Sequence, residues 1–402
     1  MKFEFSVKID IDIPSCKLNE IYKCFRKILF LVFQNLIQEV LKGFGDYYMS
    51  LPSKPFSCPR CHNRRDFKWK THHGKLTSLL TIFGKVTFTH LQIQCKSCDR
   101  KMYITRYLLG VESRKYIPED TIKRFGLIGA LSPYRVANKI ISMFGISIDK
   151  MTIWRSVQKL GEQINFDLDS NECNIGEADG TGIPIRGIQK RGKEMKVFVQ
   201  LKCTGGVRIA GLDIGNYDSQ WEGLFSPLIN TLKKFSQFLL ITDGDTSILK
   251  GLGNKIQVKF QRCLWHIPHQ FKWYLWKDKV KHKSPIWSQL LGELIDICTT
   301  KFIDEDEDCL TEIVRLKEKK LSQVIKKCKK QNLSSCSTYL ENAKKDMFTS
   351  LESKMNGRTT SHAERVMKTI NKRVNVGKWS MKGVLNAMKI RLAYYYNEFD
   401  IE

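Results

Sequence analysis

The spacing of apolar residues changes several times along the chain, and each change marks a new kind of element. A short extended start leads into a long helix from about Leu18 to Phe44. Its most apolar run, Ile28-Leu29-Phe30-Leu31-Val32-Phe33, is far shorter than the ~20 residues that a bilayer requires. That run predicts one face of a core helix. Pro52 and Pro55 then break the chain. Apolar and polar residues next alternate with period two in Thr77–Phe83 and Val86–Ile93, with Gly84-Lys85 as the turn. Helical spacing returns over 116–165. Pro118-Glu119-Asp120 opens one helix with Pro early and acids in the first turn. A second helix runs from Tyr134 to Phe144, with Val136, Ile140, Ile141 and Phe144 on one side, and a third begins after Gly145. Residues 172–265 alternate between strands and helices. Strands are predicted to end at Asp179 and to cover Met195–Lys202, Val207–Ile214, Phe238–Thr242 and Ile256–Gln261. The helices between and after them are Trp221–Phe235, Asp245–Leu252 and Leu264–Lys279. Residues 270–355 are polar, lysine-rich and helical, with an acid run Asp304–Asp308 read as a solvated loop or helix start. An amphipathic helical stretch covers 358–398. No internal repeat is visible.

This organisation predicts an N-terminal helical arm over 1–55, a cysteine-bearing module over 56–115, a helical unit over 116–168 and an α/β domain over 172–398. The α/β domain carries a helical insertion at about 270–355.

Two Cys-x-x-Cys pairs frame the alternating strands: Cys58-Pro59-Arg60-Cys61 and Cys95-Lys96-Ser97-Cys98. Each pair can present two thiolates to one ion, and together they make a tetrahedral four-sulfur zinc site. The module therefore reads as a zinc ribbon with an enlarged hairpin. The gap between the pairs is longer than usual, and four reduced structural cysteines are the alternative. A thioredoxin-like role fits poorly, because no βαβ unit surrounds the pairs. The chain has thirteen cysteines, an odd number without a regular framework, which points to a reducing compartment. The start, Met1-Lys2-Phe3-Glu4-Phe5, does not read as a signal peptide. The expected location is the cytoplasm, or the nucleus in a eukaryote.

Charge narrows the partner. Lysine plus arginine number 67 against 41 acids, a formal charge of +26, which attracts polyanions by counterion release. A lysine-rich, merely solvated surface is the alternative, and no basic amphipathic helix stands out for a membrane. Arg60, Arg64 and Arg65 lie on the cysteine module, where a rigid basic surface suits phosphate contacts. The helix–Gly145–helix pattern predicts a helix-turn-helix whose last helix starts near Lys150. Lys150, Thr152 and Arg155 would then face a DNA major groove. A plain three-helix packing unit is the alternative.

After residue 172 the order is three strands, helix, strand, helix, strand, helix, which is the ribonuclease H-like order. Three acids sit at telling places in it. Asp179 closes the first strand, Asp243 follows Phe238–Thr242, and Glu364 lies early in a helix, in Ser361-His362-Ala363-Glu364-Arg365. Three converging carboxylates repel one another unless cations lie between them, and hard oxygen ligands suit Mg²⁺ or Mn²⁺. Two such ions can clamp the attacking and leaving oxygens of a phosphodiester. The alternative is that all three are ordinary strand-end and surface acids. Asp245 rivals Asp243, and Glu341 and Glu352 rival Glu364.

These residues resemble the Mutator-like and related bacterial insertion-sequence transposases of the DDE class. The matching motifs are Ala178-Asp179-Gly180-Thr181, Thr242-Asp243-Gly244, Ser361-His362-Ala363-Glu364-Arg365, and Cys263-Leu264-Trp265-His266, which looks like that group's Cys-x-x-His signature. The resemblance covers roughly 56–395 and includes the helical insertion. It implies a DNA transposase that binds terminal inverted repeats and target double-stranded DNA, as a homodimer or larger assembly. Two Mg²⁺ or Mn²⁺ ions would be held by Asp179, Asp243 and Glu364, with Cys263 and His266 supporting the site. A buried cysteine and a core or phosphate-facing histidine remain the other reading of that pair. Trp265, Trp273, Tyr274 and Trp276 interleave with Lys272, Lys277 and Lys279, either to stack on frayed bases or to fill a core. A decayed zinc-ribbon DNA-binding protein and a structure-specific nuclease are the competing functions.

Overall fold

The computed structural model describes residues 17–399 apart from 71–75, 112–115, 189–192, 218, 253–257 and 300–306. The chain divides into two units, one reaching Leu160 and the other running from Gly161 to Asp400. The predicted extended start lies outside the described residues, as does most of the acid run Asp304–Asp308.

In the first unit, α1 spans Leu18–Ser50. Phe30, Phe33, Ile37 and Leu41 pack it against a hairpin, β2 (Leu76–Thr81) with β3 (Gly84–Thr89). β1 (Phe67–Trp69), β4 (Gln92–Cys95) and β5 (Lys101–Tyr103) form a separate antiparallel sheet, ordered β1-β4-β5. The structure departs from four expectations. The run Ile28–Phe33 is not a core face as a whole, since Leu29 and Leu31 are 69% and 50% exposed. By length and composition α1 is long and apolar enough to cross a membrane, with 11% of its most apolar window buried. The strand expected over Val86–Ile93 is split, because the chain leaves the hairpin after Thr89 and joins a different sheet at Gln92. The turn is Ile82-Phe83, closed by Gly84 at φ +114° and by the Thr81 hydroxyl, which donates to Gly84 O at 3.0 Å.

The short α2 (Thr105–Leu108) leads towards three helices: α3 (Glu119–Leu131), α4 (Tyr134–Met143) and α5 (Lys150–Gln163). Gly126 and Gly129 let α5 come close. A Cβ on Gly129 would lie 2.6 Å from Ile153 Cγ2. The turn into α5 uses Gly145 at φ +73°, and Asp149 caps the helix through the Met151 N–H at 2.6 Å. The buried side of α4 is Ala137 and Ile141. Val136 and Phe144, expected on that side, are exposed, because α4 turns its Ala137 stripe to Phe125 and Ile153.

The second unit is mixed α/β, built on β6 (Ile175–Ile183), β7 (Lys193–Leu201), β8 (Val207–Gly215), β9 (Phe238–Thr242) and β10 (Val258–Arg262). The sheet order is β10-β9-β6-β7-β8. β6 runs parallel to β9, β9 parallel to β10, and β7 antiparallel to both its neighbours. Both faces of the middle strands are buried, so β9 reads as an unbroken apolar run. Phe238 and Leu240 point with Ala178 and Phe198 into one core, where Trp221, Phe225 and Leu228 pack on them. Leu239 and Ile241 point with Ile175 to the other face, against Cys263 and Met355. The helix expected over Trp221–Phe235 is three short pieces, α6 (Glu222–Phe225), a 3₁₀ turn over Ser226–Leu228 and α7 (Ile229–Leu232). Pro227 interrupts the ladder. β6 also continues four residues beyond Asp179, because its pairing with β7 extends to Ile183↔Lys193. Asp179 is therefore inside a strand and not at its end.

α8 (Thr246–Leu252) follows β9, and α9 (His266–Lys277) follows β10. The insertion is α10 (Pro285–Cys298), α11 (Glu307–Lys330), α12 (Ser334–Lys344) and α13 (Thr349–Glu352). Ser284 caps α10 and Asp278 accepts the first N–H groups of α12. The insertion has its own core, in which Leu290, Leu294, Leu321 and Leu340 meet Phe271 and Leu275 of α9. α9 thus belongs to both the sheet and the insertion. The Arg262 guanidinium makes a second tie, donating to both Asp346 oxygens at 2.8 and 2.9 Å. The chain ends in α14 (Ser361–Val374) and α15 (Met381–Tyr396), with α14 on β6.

Candidate functional site

Two groups of chemically active side chains stand out, one in each unit. In the first, Cys58, Cys61, Cys95 and Cys98 bring their sulfurs within 4.8 Å of one another. Cys58 and Cys98 are 3.5 Å apart and Cys61 and Cys95 are 3.6 Å apart. An ion with four sulfur bonds of ~2.3 Å in a tetrahedron needs sulfurs about 3.8 Å apart, so the group can hold one metal ion. The two knuckles are built alike. His62 and Asp99, each following its pair, have φ of +57° and +58°. The His62 N–H donates to Cys58 O at 2.9 Å and the Asp99 N–H to Cys95 O at 3.0 Å. The thiols share negative charge poorly. The Cys61 N–H pulls Cys58 down to about 6. At Cys98 the Arg100 N–H pulls down, but burial and the three neighbouring thiols push the group up to about 12. A cation removes that conflict. Arg60, Arg64 and Arg65 are exposed around this module. Lys150 and Arg155 are also exposed. Thr152 is half-buried and lines, with Arg155 and Tyr116, a recess of about 260 Å³.

In the second unit the sheet register gathers the acids. Glu177 of β6 lies beside Ile241 of the parallel β9. Two residues further on, Asp179 and Asp243 reach the same level on the same face, because side chains repeat every two residues. The strands part there, since β9 ends at Thr242 while β6 continues along β7. Gly244, at φ +98°, turns the chain away, and its N–H donates to Thr242 Oγ1 at 3.0 Å. Asp245 accepts the Ser247 N–H at 2.8 Å and the Ser247 hydroxyl at 2.5 Å and so caps α8, while Asp243 accepts the Asp245 N–H through Oδ1 at 2.9 Å. Glu364 is in the first turn of α14 and comes within 3.5 Å of His266 Nε2. Its rivals lie elsewhere. Glu341 pairs with Lys329 in the insertion, and Glu352 is exposed at the end of α13.

The charges of these acids act on one another. Burial pushes the Asp179 carboxyl up to about 6, the Gly180 N–H opposes it, and the charges of Asp243 and Glu364 add to the rise. Among the described residues the four cysteines are the group whose ligand atoms all lie within 4.8 Å, and the three carboxylates stand wider than that.

Cys263 and His266 bridge β10 to α14. The Thr360 N–H and hydroxyl both donate to Cys263 Sγ at 3.3 Å, and the hydroxyl lies 3.4 Å from His266 Nδ1. Burial opposes charge on both partners. Even so, the His266 contact lowers the Cys263 thiol. The Cys263 sulfur, with the carboxylates of Asp179 and Asp243, raises His266. Thr360, at the N-cap position of α14, makes no side-chain cap, because its hydroxyl is occupied by Cys263. The cap is Glu177. Its buried carboxylate accepts the N–H groups of His362 at 3.0 Å and Ala363 at 2.7 Å. Burial drives the Glu177 carboxyl up to about 7 against those two N–H groups. Glu177 and Thr360 were missed in the sequence. The available signal was an acid two residues before Asp179 in an otherwise apolar strand.

Of the four aromatics after Cys263, Trp265, Trp273 and Trp276 are 49%, 53% and 71% exposed, so they are not core. Tyr274 instead stacks on Tyr339 at 4.4 Å. Trp273 and Lys277 line, with Asp243, Arg262 and Asp346, a cavity of about 900 Å³ between the sheet edge and the insertion. No protein-family model and no curated protein matches the chain.

Protein purified without chelators is expected to carry one metal ion per chain in the cysteine group. Cys58→Ser should lose that ion, as read by elemental analysis; metal-free wild-type protein would contradict the site. Glu177→Ala should destabilise the second unit by about 1–2 kcal/mol through loss of a helix cap. Glu177→Gln, which keeps an acceptor oxygen, should cost less. Equal thermal unfolding of the two variants would show that the cap contributes nothing.

Proposed function

We propose that the chain is a DNA transposase of the DDE class, which binds transposon ends and carries out metal-dependent DNA cleavage and strand transfer. The observation that carries this reading is the acidic centre of Asp179, Asp243 and Glu364, whose charges raise the Asp179 carboxyl together with its burial. Its surroundings support the same reading. The β10-β9-β6-β7-β8 order, with β7 alone antiparallel, agrees with a ribonuclease H-like sheet. The insertion occupies the stretch between Asp243 and Glu364, as in the transposases that the motifs resemble. The charge of +26 suits a polyanionic substrate.

The donor sets fit two kinds of ion. Four cysteine sulfurs suit zinc, and three carboxylates suit Mg²⁺ or Mn²⁺. Divalent ions held there would activate a hydroxyl nucleophile and stabilise the leaving oxygen. The chain's own residues hold the geometry. Asp179 is fixed by its strand and by the Gly180 N–H at 2.8 Å. Gln270 donates to Asp243 O at 3.1 Å and so steadies the turn that bears Asp243. Glu177 sets the start of α14, and His266, held by Cys263 and Thr360, orients Glu364. Arg60, Arg64 and Arg65 supply sequence-independent phosphate contacts in this reading. Lys150, Thr152 and Arg155 supply the reading of transposon ends.

Glu364→Gln is expected to keep fold, zinc and DNA binding and to lower Mg²⁺-dependent cleavage of transposon-end DNA by ~100-fold or more. Glu352→Gln should cleave normally. An active Glu364→Gln enzyme overturns the reading, and cleavage without joining of a DNA 3′ end to target would mark a nuclease instead.

A further inference from the structure

A second cavity, of about 410 Å³, is lined by His362 and Arg365 at the start of α14, the helix that also bears Glu364. Its floor is the β7–β8 turn, Lys202 with Gly205 and Gly206. One wall is His362 and Arg365, and the other is the tyrosine run Tyr394-Tyr395-Tyr396 at the end of α15. The position of this run is fixed. The Asn397 side chain pairs with the edge strand β8 as another strand would. It accepts the Ile209 N–H at 2.8 Å and donates to Ile209 O at 2.9 Å. Tyr396 is anchored on Thr369 at 2.9 Å. Tyr394 and Tyr395 are left 44% and 52% exposed. The Arg391 guanidinium lies 5.2 Å from the centre of the Tyr395 ring and holds it from behind. Gly205 and Gly206, at φ +92° and +83°, have open space where a Cβ would stand, so the hairpin backbone is accessible.

Exposed rings beside cations are the chemistry of a strand-binding platform. Bases stack on the rings, and phosphates meet Lys202 and Arg365. Glu398, which accepts from Lys202 at 2.6 Å, is the one carboxylate in the lining. Ring faces can be reached only by bases that are out of the duplex, which selects single strands. We propose that this groove binds a single-stranded nucleic acid, the run of nucleotides continuing from a phosphate held at the acidic centre. The proposal rests on the reading of that centre as a site for nucleic-acid chemistry, because the groove begins within one turn of Glu364. A protein surface would be the other class of occupant. The shared start on α14 and the basic chain favour the nucleic acid.

The test uses the full chain with its zinc, in buffer without added Mg²⁺, and fluorescence anisotropy of a labelled oligothymidylate and of a blunt duplex. Tyr395→Ala and Tyr394→Ala should each weaken oligothymidylate binding by about tenfold, and Tyr395→Phe should bind as wild type. Arg365→Gln should lower the salt slope by about one. Blunt-duplex affinity should not change with either tyrosine variant. Unchanged single-strand affinity in both tyrosine variants overturns the proposal. So does an equal loss for single strand and duplex, or altered self-association with unaltered DNA binding. Because no cleavage is measured, failure of the groove leaves the Glu364→Gln result untouched, and an active Glu364→Gln enzyme leaves the binding result untouched.

Discussion

A buried carboxylate on a central strand holds the start of the last helical layer. Glu177 reaches from β6 to the N–H groups of His362 and Ala363, and so decides where α14 begins on the sheet. Glu364 follows within the same turn, and its distance from the sheet acids depends on that contact. The interaction is charge-assisted and pairs a carboxylate with the positive end of a helix, which is favourable. It is also strained electrostatically. Burial and the neighbouring Asp179 push the Glu177 carboxyl up to about 7, so the fold places four acids close together at a cost. Structures keep such arrangements where something else compensates for them. Here the compensation on the protein side is His266, raised by the Cys263 sulfur and by Asp179 and Asp243, and cations complete it in the proposed reading.

The supports of the acidic centre come from parts of the chain that are distant in sequence. Cys263 follows β10, Thr360 precedes α14, and Gly357 passes so close to the sheet that a Cβ would lie 2.6 Å from Ile241. The insertion is also tied to the sheet. Gln261 donates to Met347 O at 2.7 Å and accepts the Ser350 N–H at 2.8 Å. These links fix the path by which the chain returns from the insertion to α14. A long helical excursion therefore ends with Glu364 beside two acids that precede the excursion.

Much of the architecture was legible in the sequence. β9 matches its apolar run Phe238–Thr242, β7 and β8 lie within two residues of the strands expected over Met195–Lys202 and Val207–Ile214, and α3 and α5 start where Pro118 and Gly145 indicate. The errors have physical causes. Asp179 closes an apolar segment and so reads as a strand end, but pairing with β7 carries the strand onward. The cap of α14 comes from a strand nearly two hundred positions earlier, and such a contact leaves no local signal. The apolar run of α1 looked like core, whereas one side meets the hairpin and the other is open. Apolar spacing shows which side of a helix is greasy and does not show what covers it. The roles of Cys263 and His266 could not be chosen from spacing, because they depend on Thr360, ninety-odd residues away.

The account stands or falls on whether the three carboxylates form a divalent-cation site. Calorimetric titration of Mn²⁺ into zinc-loaded protein at neutral pH measures this without reference to DNA or turnover. The account predicts that wild type takes up Mn²⁺ and that Asp179→Asn loses this uptake while its zinc content is unchanged. Identical Mn²⁺ uptake by wild type and Asp179→Asn, or none by wild type, would contradict it.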